Sequence, residues 1–101
     1  VKWHHKAQPY EPVDYDEMVV GAIRAIATGT ANAGQQETAW QWLQYVCGVG
    51  EYADMSFRPG GADGERLTAF AEGRRFVGLQ ILKMIHPDVL EAIEREKRNK
   101  R

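Results

Sequence analysis

Apolar residues recur along most of this chain at intervals of three and four, the spacing of one face of an α-helix. Met18, Val19, Ala22, Ile23 and Ile26 form the first such stripe. Asp14, followed by Glu17, has the form of an N-cap with a supporting carboxylate, and Gly29 suits the far end, so a helix is predicted over about 15–28. Asn32 with Gln35 repeats the cap pattern ahead of Ala39, Trp40, Leu43, Val46 and Cys47, which predicts a second helix over about 33–47, ended by Gly48. Trp42 and Tyr45 fall off that stripe, and they either widen the buried face, the preferred reading, or present aromatic surface to a partner. Asp63 is placed to cap a third and longer helix, about 64–85, in which Leu67, Phe70, Arg74, Val77, Ile81 and Ile85 share a face. Gly73 and Gly78 lie inside it at about 1 kcal/mol each in helix propensity, which predicts the close approach of a neighbouring backbone. His86-Pro87 breaks this helix and opens another carrying Val89, Leu90 and Ile93.

Two segments depart from helical spacing. Residues 1–13 hold Trp3, His4, His5, Pro9, Tyr10 and Pro12. This mixture of aromatics and prolines favours an extended arm, either frayed or packed on its own domain or a neighbour. Between Gly48 and Asp63, glycines and a proline mark a connection, yet Val49, Tyr52, Met55 and Phe57 are too apolar for a solvated linker and should pin it onto the helices. Nowhere do apolar and polar residues alternate over a strand's length between hairpin turns. The expected fold is all-α: a small bundle of three main helices plus a short C-terminal helix, with an extended N-terminal arm (1–13), one helical domain (14–94) and a basic tail (95–101).

With 101 residues the chain has room for one modest core. Thirteen basic and fourteen acidic side chains leave a formal net charge of −1, so any electrostatic attraction to DNA or anionic lipid must be local. No apolar run approaches the roughly 20 residues of a membrane-spanning helix. The one cysteine, Cys47, sits within an apolar stripe and reads as a small buried hydrophobe rather than a reactive thiol.

Candidate chemistry is sparse. Adjacent His4 and His5 point in different directions in most backbones, and His86 lies far along the chain with no acidic or cysteine partner at ligand spacing, which predicts no metal; no cofactor is expected either. Ser56 and Cys47 lack a neighbouring base, the carboxylates of Asp14/Asp16 and Glu94/Glu96 sit on solvated helical faces, and Arg58-Pro59-Gly60-Gly61 lacks the ending of a phosphate loop. An enzyme is therefore not expected. Arg74 stands out, because a guanidinium on an apolar stripe requires an acid: Asp14, Asp16, Asp54 or Asp63 within the chain, the preferred reading, or a partner's. The tail Arg95, Lys97, Arg98, Lys100 and Arg101 reads first as a solvated helix end, with salt-sensitive nucleic-acid contact as the alternative.

Trp40 to Cys47, the loop over 52–59 and the run from Thr68 to Ile81, with Phe70, Gly73, Arg74 and Arg75 forming Phe-x-x-Gly-Arg-Arg, carry a resemblance. Across roughly residues 14–85 the chain resembles a family of small tailed-phage and prophage domains, typified by a protein of a Bordetella podophage and encoded among virion structural genes. The resemblance implies a noncatalytic virion component held by portal, capsid or internal ejected proteins, present in multiple copies and located in the particle or, during assembly, the host cytoplasm. The expected protein contacts are Trp3, Tyr10, Trp42, Arg74 and Arg75. The alternative is an accessory factor that grips packaged DNA through Arg95, Lys97, Arg98, Lys100 and Arg101.

Overall fold

The computed structural model describes residues 9–100, and Trp3, His4, His5 and Arg101 therefore lie outside the described residues. Among these residues the fold is all-α: α1 (Glu17–Ala27), α2 (Ala33–Cys47), a short 3-10 turn (Gly50–Tyr52), α3 (Gly61–Ile85) and α4 (Pro87–Asn99). The helices pack in series, α1 on α2, α2 on α3, and α3 on α4 only around their junction.

Local chemistry sets the helix ends. Asp16, and not Asp14, caps α1: its extended backbone lets the carboxylate accept from Val19 N at 2.9 Å, which satisfies one of the unpaired donors of the first turn. Asp14 is displaced from that role because its carbonyl oxygen accepts a 2.9 Å hydrogen bond from Trp42 Nε1, which ties the approach to α1 onto α2. At the other end Gly29 is left-handed (φ 74), Gly29 N donates to Ile26 O and Thr30 N to Ala25 O, the paired bonds of a glycine-terminated helix. Asn32 and Gln35 form the reciprocal box the sequence predicts, each side chain accepting from the other's backbone N–H, and α2 stops at left-handed Gly48.

Asp63 does not cap α3. The chain enters that helix through Gly60 (φ 118) and Gly61 (φ 64), conformations open to glycine. Hence α3 starts earlier and Asp63 falls within its first turn, 3.4 Å from Arg66. His86 caps α4 by accepting from Asp88 N at 3.3 Å. Pro87 occupies the first turn, where its missing N–H costs nothing.

The core is built from small residues. Val19, Ala22, Ala25, Ala39, Cys47, Val49 and Ala71 are buried, whereas among the described residues no large side chain is fully enclosed. The stripe read on α1 is only partly used: Val19 and Ala22 are buried and Ile23 half-buried, while Met18 and Ile26 face solvent near the helix ends. On α2 the expected stripe is buried at Ala39 and Cys47 and half-buried at Trp40, Leu43 and Val46. Gln44 is buried as well, which its polarity concealed: its Oε1 accepts from Glu51 N at 3.2 Å and pins the 3-10 turn. Tyr45 packs edge-on against Tyr52 of the same turn, with ring centroids 5.7 Å apart.

The packed face of α3 differs from the expected one. Gly64, Ala71 and Gly78 are its buried residues, one heptad apart, while Phe70, Val77 and Ile85 of the predicted stripe are exposed. The reason is the connection after α2, which lies along α3 as a strap with its backbone close to the helix. A Cβ at Gly64 would meet the carbonyl oxygens of Arg58 and Pro59, and one at Gly78 would lie 2.6 Å from Cys47 Cβ. The close approach expected at Gly78 is thus observed, made by the Cys47 and Val49 side chains; at Gly73 no described residue lies within 4 Å of where a Cβ would stand, contrary to expectation.

Candidate docking surface

The strap is fixed by charge. Asp54 Oδ2 accepts from Arg74 Nη2 at 3.2 Å and from Arg58 Nη2 at 3.3 Å, and Arg75 Nη1 donates to the Asp54 carbonyl oxygen at 3.2 Å. The Arg74 side chain is 11% exposed and that of Asp54 37%, so the pair is partly sheltered and well matched. Arg58 also donates to the carbonyl oxygens of Met55 and Phe57, and its backbone N–H donates to Thr68 Oγ1 at 2.8 Å. Backbone groups of a segment without regular structure thereby find partners on α3.

The described part of the N-terminal segment returns to the same helix. Pro9 is buried, its carbonyl oxygen accepts from Arg74 Nη1 at 3.5 Å, and Tyr10 meets Phe70 edge-on at 6.3 Å. Together with Trp42 and Val46 they border an open apolar groove of about 450 Å³. Of the expected contact residues, then, Tyr10, Trp42 and Arg74 converge on this groove, and Arg75 sits beside Asp54. Both guanidiniums and the Trp42 indole are engaged within the chain, which makes them organisers of the fold. Trp3 lies outside the described residues.

Beyond Gly78 the strap ends, and α3 continues with Ile81 and Leu82 half-buried and Leu79, Met84 and Ile85 exposed. At about 100° per residue, the side of α3 opposite the strap presents Ala69, Phe70, Gly73, Phe76, Val77, Gln80 and Met84, and no charged residue falls on that side between Arg66 and Lys83. Phe76 is 62% exposed and Met84 68%. On α4, Val89, Leu90 and Ile93 share one face, and no residue of that helix is buried. A helix with an apolar stripe is stable in water when that stripe is covered, and among the described residues these two faces remain largely exposed.

No protein-family model, curated protein or solved structure matches this chain.

Arg95, Lys97, Arg98 and Lys100 belong to the last turns of α4 and its cap. At about 100° per residue they point to every side of the helix, and Lys100 pairs with Glu96 at 3.5 Å, so they form no single basic face. Arg101 lies outside the described residues. Among the described residues no group of three acidic, histidine or cysteine side chains is placed to hold a metal ion, and no helix is long and apolar enough to cross a membrane. The sequence reading missed the outward side of α3. Its signal was present in the heptad of Phe70, Val77 and Met84 beside that of Gly64, Ala71 and Gly78: two apolar faces on one helix, with one strap available to cover them.

Proposed function

We propose that this chain is a noncatalytic structural subunit that completes its apolar packing by docking on a larger protein, and that the larger protein is a component of a tailed-phage particle. The carrying observation is the elbow formed by the end of α3 and α4, where Ile85, Leu90 and Ile93 are exposed among the described residues. The phage assignment rests on the resemblance centred on Phe70, Gly73, Arg74 and Arg75. Portal and neck, inner capsid surface, and proteins ejected with the genome are all compatible seats. A DNA-binding role for the basic end of α4 has less support, because its charges surround the helix and alternate with acids.

The test is quantitative mass spectrometry of purified, nuclease-treated particles carrying either the native chain or Leu90→Asp/Ile93→Asp. The native chain is expected at a fixed ratio to the portal or capsid protein, and the variant is expected to fold normally but be lost from particles. Absence of the native chain from clean particles rejects the virion role. Full incorporation of the variant rejects docking through α4.

A further inference from the structure

We infer that the arginine cluster around Asp54 is a carboxylate-binding site, with Arg75 as its main contact and an acidic side chain of the docked protein as its ligand. This rests on the docking reading and names the chemistry of one partner contact, at a place separate from α4.

The starting point is a charge imbalance. Three guanidiniums hold Asp54, but only two of them do so through its carboxylate, Arg58 at 3.3 Å and Arg74 at 3.2 Å. Arg75 Nη1 donates instead to the Asp54 carbonyl oxygen at 3.2 Å, an acceptor without formal charge. One carboxylate therefore stands among three cations, and the cluster keeps two positive charges in excess. The acids nearby do not make up the difference. Glu72 lies three residues before Arg75, Glu51 lies three residues before Asp54, and both are exposed and form no ion pair with the three arginines. Asp63 is paired with Arg66. Residues 1–8 contain no acid. Among the described residues, then, Arg75 is the arginine of this cluster with no carboxylate partner.

Its geometry leaves it able to take one. An arginine offers five N–H donors in a flat fork, and the internal contact of Arg75 occupies a single Nη nitrogen. Arg75 and Asp54 are both half-buried. A ligand can thus reach the fork from solvent, and the partial shelter strengthens its attraction. A half-buried guanidinium without an anion is costly, and a carboxylate bound through two parallel hydrogen bonds offsets that cost.

The surroundings favour a protein ligand over a nucleic acid. A phosphate backbone is tracked by successive cations. Along α3 the arginine pair is flanked by Glu72 and the Asp63–Arg66 pair on one side, and Lys83 follows only about two turns later on the other. No row of cations continues from the cluster. The strap instead places Met55 and Phe57, both largely exposed, one and three residues after Asp54. Apolar side chains beside a cationic fork match an acidic residue set in an apolar patch of a partner protein.

The experiment is an NMR titration of the full chain with a hexaglutamate peptide, read at the arginine Nε–H resonances. At about 10 mM ionic strength the Debye length is about 30 Å, so the attraction is little screened. Saturable shifts centred on Arg75 are expected, with a Kd on the order of 1 mM for so small a probe. Arg75→Gln is expected to weaken binding about tenfold while helicity by circular dichroism holds. Asp54→Asn keeps an oxygen acceptor for the strap and removes the competing charge, so it is expected to tighten binding about tenfold. A cluster with a structural role alone shows no such gain. Shifts confined to Arg95 and Arg98 of α4, the lack of any saturable shift, or an Asp54→Asn variant that binds no tighter than the native chain would each overturn the site. A short oligothymidylate of matching charge that binds the cluster as tightly as the peptide overturns the choice of a protein ligand. The titration uses the isolated chain, so its failure leaves the incorporation test intact. Loss of the Leu90→Asp/Ile93→Asp variant from particles reports on α4 alone.

Discussion

Small residues decide how closely the parts of this chain approach. Gly64 and Gly78 are separated by two heptads on α3, and each is the point where the strap's backbone or the end of α2 comes nearest to the helix. Gly78→Ala would gain about 1 kcal/mol of helix propensity, but its methyl group would overlap Cys47 Cβ and both methyls of Val49, and overpacking of this kind costs about 1–3 kcal/mol. The neighbouring atoms are Cβ or one bond beyond it and cannot swing away. A net loss of about 1 kcal/mol is expected in urea unfolding, and a gain would show that α3 can shift freely under the strap. The sequence pointed to a close approach at Gly73 and Gly78 alike, since both were glycines in a helix. What separates them is which side of α3 meets the strap, and that depends on tertiary contacts that helical spacing does not encode. Arg74 was more legible, because a guanidinium among apolar neighbours demands an acid wherever the fold finds one; the choice of Asp54 came from the strap's path.

At the scale of elements, helix positions were legible from caps and breakers. The Asn32/Gln35 box, Gly29, Gly48 and His86-Pro87 stand where the spacing puts them because each acts through bonds to residues nearby in sequence. Asp14 and Asp63 failed as caps for a common reason: a neighbouring feature, the Trp42 indole in one case and the Gly60-Gly61 pair in the other, changed where the helix began. The strap is the element with least regular structure and the most dependence on one side chain. Asp54→Ala removes the acceptor shared by Arg58 and Arg74 and leaves the Arg74 guanidinium in a largely sheltered site. Hydrogen bonds to charged groups contribute about 1.5–3 kcal/mol, and the partial exposure of Asp54 places the expected loss toward the lower figure. Hydrogen exchange gives a local readout: amides of the strap and of Arg58 in particular are expected to lose protection before those of α1 and α2. Uniform loss across the molecule would mean that the strap and the helices unfold as one unit.

The whole molecule is longer and thinner than a self-sufficient domain of its size. Its radius of gyration is 16.9 Å and its extents are 54 × 35 × 20 Å. A compact chain of 100 residues would have a radius of gyration of about 13 Å. The length comes from the end of α3 and from α4, which continue past the layer formed by α1, α2 and the strap. With a core of alanines, valines and one cysteine, the chain has little apolar burial to set against its conformational entropy, so its stability should depend on whatever covers α3. Mass action then ties stability to concentration, because a partner that binds only the folded state stabilises it more as its own abundance rises. The thermal midpoint of the purified chain alone is expected to fall below the roughly 45–65 °C usual for small domains. A midpoint within or above that range would mean that the thin core suffices alone, and that a partner covering the apolar side of α3 adds specificity and not survival of the fold.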